Sequence, residues 1–109
     1  VRKSKISAYK KIASIAKKVW LEHGAIDYKE CAGDDLNING VLSFLKIAKA
    51  KKDETVIIAW ITYRNKRHRD SVNKKVMSDP RIAAVSSESV KKLFNSKQMV
   101  YGGFKIIVG

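Results

Sequence analysis

The sequence predicts one α+β domain in which two main helices cover one face of a small sheet and a second copy of the chain covers the other. Three observations carry this. Residues 4–23 place apolar side chains at helical spacing. Residues 55–63 are a nearly unbroken β-forming run. The chain has 109 residues, enough for one hydrophobic core and not two.

The first helix is written by Ile6, Tyr9, Ile12, Ala13, Ala16, Val19 and Trp20, which fall on one stripe at 100° per residue. Lys10, Lys11, Lys17, Lys18 and Glu22 fall opposite and face solvent. Ser4 is the expected N-cap and Gly24 the stop. Residues 25–31 alternate, with Ile26 and Tyr28 against Asp27 and Lys29, and read as a short strand that ends at Gly33-Asp34-Asp35. In 41–48, Val41, Phe44, Leu45 and Ala48 share a helical face, and a polar loop follows at 49–53.

Residues 55–63 form the most informative stretch. Val56, Ile58 and Trp60 point one way and Ile57, Ala59 and Ile61 the other, so both faces of this strand need cover. A second helix is expected over 66–77, burying Val72, Val76 and Met77, and Asp79-Pro80 closes it. Residues 86–97 offer a helical turn around Val90, Leu93 and Phe94. Residues 99–108 read as a last strand, in which Gly102-Gly103 marks a bulge or a close backbone approach. No repeat, low-complexity tract or linker divides 1–109, so a single domain is expected.

Two helices cover only one face of a small sheet, and face-to-face packing of a second sheet is the economical cover for the other. A homodimer is therefore expected.

His23-Gly24-Ala25, Glu30-Cys31 with Gly33-Asp34-Asp35, and Asp53-Glu54-Thr55-Val56 through Trp60 form a recognisable series. It continues with Asn73, Val76-Met77, Asp79-Pro80-Arg81, Lys97, Met99 and Tyr101-Gly102-Gly103-Phe104. In this order, over essentially the whole chain, they resemble the YbaA-like family of small uncharacterised bacterial proteins. The resemblance implies a ferredoxin-like antiparallel sheet with helices on one face, paired into a dimeric α+β barrel. It also implies a β-strand ahead of the first helix, upstream of Val1. Relatives in the wider superfamily include cofactor-independent monooxygenases, haem-degrading enzymes and ligand-binding modules, and fold alone does not choose among them.

Composition narrows the classes. No apolar run approaches the ~20 residues of a membrane span and no signal-peptide pattern opens the chain, so a cytoplasmic location without membrane contact is expected. The single Cys31 cannot form an internal disulfide. Two histidines and one cysteine at no ligand spacing argue against a metal site. No phosphate-cradling glycine loop, nucleotide fingerprint or hydrolase elbow is present, and no cofactor is expected.

Four groups of residues carry candidate chemistry. Glu30, beside Cys31, Asp34 and Asp35, offers a carboxylate for general-base work, while Gly-Asp-Asp alone reads as a turn and a lone cysteine as a small buried hydrophobe. His68, one helical turn before Val72, offers an acid or base near neutral pH, against the plainer reading of a solvated or capped side chain. Tyr28, Trp60, Tyr63 and Tyr101 could wall a pocket for a small, partly apolar molecule, and ordinary core packing accounts for them too. Arg64, Lys66, Arg67 and Arg69 make the densest basic stretch of a chain with net charge +13, which points to nucleic acid as the alternative partner. Lysines spread along the rest of the chain favour a generally basic surface over a binding groove. A structural or partner-binding module without a pocket is the third reading.

Overall fold

The computed structural model describes residues 1–85, 92–93 and 98–109. Helix α1 (Ile6–Glu22) follows a single 3-10 turn over Lys3–Lys5, and strand β1 (Asp27–Ala32) comes next. The short helix α2 (Phe44–Ile47) leads to strand β2 (Ile57–Thr62), and helices α3 (Lys66–Met77) and α4 (Pro80–Val85) follow. This is a mixed α+β architecture around a two-stranded antiparallel sheet. Among the described residues no helix is long and apolar enough to cross a membrane.

Local chemistry sets the boundaries. Ser4 lies inside the 3-10 turn, so the expected cap is corrected: α1 begins without a side-chain cap. Gly24 stops α1 with φ +111°, a conformation that costs a side chain dearly. At α3 the cap is explicit, because the Asn65 side chain accepts the His68 backbone N–H. Asp79 then accepts the Arg81 N–H and Pro80 supplies a preset φ. The pair that closes α3 therefore also opens α4, a helix the sequence pattern did not suggest.

The register pairs Tyr28 with Ile61, Glu30 with Ala59 and Ala32 with Ile57 on one sheet face. Asp27 with Thr62, Lys29 with Trp60 and Cys31 with Ile58 form the other. Helices cover the first. Val19, Val72 and Val76 are fully buried and join Ala25 and Ile82 in the core, with Trp20, Ile61, Tyr63 and Val85 packed around them. The second face is open on the single chain, leaving Ile58 42% and Trp60 48% exposed.

The strand expected over 99–108 does not form. A strand exists by pairing its N–H and C=O groups with an edge, and among the described residues no ladder partner pairs with this segment. Just ahead of β2, the N-terminal residues pair with the chain through the bridge Arg2–Glu54, the hydrogen bond from the Thr55 N–H to the Val1 carbonyl at 2.8 Å, and that from the Lys3 N–H to the Asp53 carbonyl at 2.8 Å. Residues 99–108 consequently lie off the sheet, with Phe104 96% exposed. With no strand there, the bulge or close backbone approach expected at Gly102-Gly103 is not seen; the Arg69 guanidinium end lies near Gly103. The turn expected over 86–97 lies outside the described residues except for Lys92 and Leu93, of which Leu93 is buried.

Candidate functional site

On the helix-covered face the sheet presents a carboxylate to two phenols. Glu30 leaves the middle of β1 half-buried, and strand alternation puts it on the side of Tyr28. Its Oε2 accepts the Tyr28 hydroxyl at 2.6 Å, and its Oε1 accepts the hydroxyl of Tyr9, which α1 carries across the sheet. Among the described residues Glu30 takes part in no ion pair. Burial, and then the hydrogen bond to Glu30, push both the Tyr9 and Tyr28 phenols well above the usual tyrosine range. Both remain neutral donors throughout the physiological range.

A second network adjoins the first. The Trp20 ring lies 5.8 Å from that of Tyr28, and its indole N–H is shared between the Tyr63 hydroxyl at 3.1 Å and Asn73 Oδ1 at 3.2 Å. The Tyr63 hydroxyl donates to the same Asn73 oxygen at 2.9 Å. Burial raises the Tyr63 phenol, with the Trp20 indole partly opposing it. A continuous seam, Glu30–Tyr28–Trp20–Tyr63–Asn73, thus runs between sheet and helices with alternating apolar bodies and polar tips.

The structure divides the four expected pocket aromatics. Tyr28 and Tyr63 belong to the seam. Trp60 stands on the opposite, open face beside Ile58 and Cys31, and Tyr101 is exposed in the terminal segment. Cys31 is exposed, which corrects the reading of a buried thiol: it faces the side away from α1 and α3. Around it, Cys31, Leu36, Phe44, Val56 and Ile58 line an apolar hollow of about 70 Å³, too small for an organic ligand. Asp34 and Asp35 are exposed beyond the strand end.

His68 has a structural task. Its Nδ1 accepts the Arg64 backbone N–H at 3.0 Å, so the ring proton of the neutral form is on Nε2, and its ring meets Tyr63 edge-on at 6.0 Å. Arg64, Asn65, Arg67, His68 and Ser71 line an open cleft of about 450 Å³. Lys66 is exposed beside it, while Arg69 turns to Asp70 at 3.1 Å. Among the described residues no three His, Cys, Asp or Glu side chains gather as a metal site would require.

Three members of the seam were not among the candidates read from sequence. Tyr9 and Trp20 lie on the apolar stripe of the first helix and look like core, while Asn73 is a polar residue next to Val72 on a basic helix. The available signal was the placement of hydrogen-bonding aromatics on that stripe, since buried phenols and indoles need partners.

A small α+β domain, with a two-stranded antiparallel sheet, helices packed on it and a carboxylate–phenol seam between sheet and helices, is the class this geometry defines. The family described as "protein of unknown function (DUF1428)" matches residues 1–94. The chain is 38% identical over 104 residues to "Uncharacterized protein YbaA" of Escherichia coli K12, and equally to the proteins so described in Escherichia coli O157:H7 and Shigella flexneri. Each match covers 95% of this chain and 86% of the relative. The chain belongs to this YbaA-like family.

Proposed function

We propose that this protein is a homodimeric ligand-binding module of the ferredoxin-like α+β barrel type, which holds a small, partly apolar molecule between sheet and helices against Glu30. The observation that carries the reading is the bridging of Glu30 by Tyr9 and Tyr28. A half-buried carboxylate held by neutral donors retains acceptor capacity, since each carboxylate oxygen has two lone-pair directions. A ligand bearing a hydroxyl or N–H can join that network, and Trp20 and Tyr28 offer aromatic surface to its apolar part.

The homodimer follows from the open face. Ile58 and Trp60 alternate with the helix-facing residues and present an apolar strip that a second sheet would cover. Two-fold pairing there would leave the seam on the far side of each sheet, one site per protomer.

Thermal melting across a library of phenols, quinones and other small aromatic compounds tests the site. Compounds that raise the melting temperature of the wild type should lose that effect with Glu30→Gln. A library that leaves the wild type unmoved, or acts equally on the variant, contradicts the reading.

A further inference from the structure

The open cleft at the start of α3 has a chemistry that the seam does not use. Its walls are Arg64, Asn65, Arg67, His68 and Ser71, and no carboxylate is among them. Arg64 and Arg67 are exposed, and neither enters an ion pair among the described residues, whereas Arg69 and Arg81 both do. The Asn65 oxygen is committed to the His68 N–H, which leaves the amide NH₂ as a donor. The Arg64 N–H fills His68 Nδ1, so that nitrogen offers the cleft no free lone pair, while Nε2 lies toward Gly24. The hydroxyl of Ser71, one helical turn after Arg67, completes the lining. Two guanidinium forks, an amide and a hydroxyl therefore border an open depression of about 450 Å³.

We infer that this cleft binds a phosphomonoester of metabolite size, with Arg64 and Arg67 taking the phosphate oxygens and Asn65 and Ser71 the neighbouring polar groups. Guanidinium forks match phosphate geometry two bonds at a time, and a doubly charged, multi-oxygen head uses more of these donors than a carboxylate can. The donors span only residues 64–71, about two turns of chain, which suits one phosphate head better than a polymer backbone, which would track a longer groove. The inference does not rest on the Glu30 site: Arg64 and Arg67, which carry it, are exposed, and the cleft meets the seam only where the His68 ring packs edge-on against Tyr63.

The test is a titration of the full chain with ribose 5-phosphate at low ionic strength, followed through backbone amide resonances, with ribose and inorganic phosphate alongside. Ribose 5-phosphate and phosphate should shift resonances of residues 64–71 saturably, and ribose should not. Arg64→Gln with Arg67→Gln should weaken binding about ten-fold or more, as expected for the loss of two charge-assisted contacts. Lys74→Gln with Lys75→Gln should weaken it by less than about two-fold, since those charges act only through screened solvent. Both pairs are exposed, and unchanged far-ultraviolet dichroism would confirm the fold of each variant. Equal losses in the two double variants, shifts scattered over all the lysine-bearing surfaces, or no saturation at millimolar ligand would overturn the inference. A short single-stranded RNA that binds far more tightly than ribose 5-phosphate and loses affinity equally in both variants would assign the surface to a polyanion and overturn it as well.

Discussion

Glu30 shows how much a single side chain depends on its neighbours. Its two phenolic partners arrive from different elements, so removing either leaves a half-buried carboxylate oxygen short of a donor. Tyr28→Phe should cost about 2 kcal/mol in urea unfolding, as for loss of a hydrogen bond to a charged acceptor. The phenols also carry a pH signature. Tyr9, Tyr28 and Tyr63 are raised in the folded state, so the stability they contribute is complete below the ordinary tyrosine value near 10 and declines as pH rises toward their folded values. A spectrophotometric titration should show less tyrosinate in the folded protein than in the urea-denatured chain at about pH 10.5. Coincident curves would mean that these rings are solvated. Asp79 behaves in the opposite sense. Hydrogen bonds from the Arg81 and His23 side chains and from the Arg81 backbone hold its carboxyl far below the usual range. Its contribution is present above the unfolded value near 4 and is lost as pH falls toward the folded one. Asp79→Asn should therefore lower stability at pH 7 and flatten the acid limb of the stability curve, measured by urea melts from about pH 5 to pH 2.

Element boundaries follow from the same accounting of donors and backbone angles. Gly24→Ala places a side chain at φ +111°, close to His68 and Val72, and should cost about 1–3 kcal/mol by urea unfolding. Strong periodicity was legible: α1 from its apolar stripe, β2 from its unbroken run, and α3 with both ends as read from 66–77. The errors have local causes. Ser4 has the chemistry of a cap but stands in a 3-10 turn. The brief α4 has too few residues to show a period and rests on Asp79, Pro80 and one buried side chain, Ile82. Residues 99–108 have the composition of a strand, but composition cannot supply an edge to pair with. The site was legible in part for a similar reason. Glu30 and Tyr28 could be named from sequence, but Tyr9 and Trp20 look like core residues until their hydroxyl and indole groups are followed to partners across the sheet.

At the scale of the molecule, the sheet has two unlike faces and a tryptophan reports on each. Trp20 lies in the seam between sheet and helices, and Trp60 on the open face with Ile58 and Cys31. Pairing through the open face predicts a sedimentation coefficient of a dimer at micromolar concentration, reduced to that of a monomer by Trp60→Lys. It also predicts that the exposed Cys31 thiol reacts more slowly with a thiol reagent as protein concentration rises. A compact monomer with concentration-independent labelling would end the dimer proposal.

The most direct test of the Glu30 site uses the same two tryptophans: a nitrogen–proton correlation spectrum of the labelled protein, recorded with each compound that raises the melting temperature. A ligand held against Glu30 should move the Trp20 indole signal together with the Glu30 and Tyr28 amides and leave the Trp60 indole in place, and Glu30→Gln should abolish those shifts. Compounds that stabilise the protein while moving only Trp60, or only residues 64–71, would contradict this account.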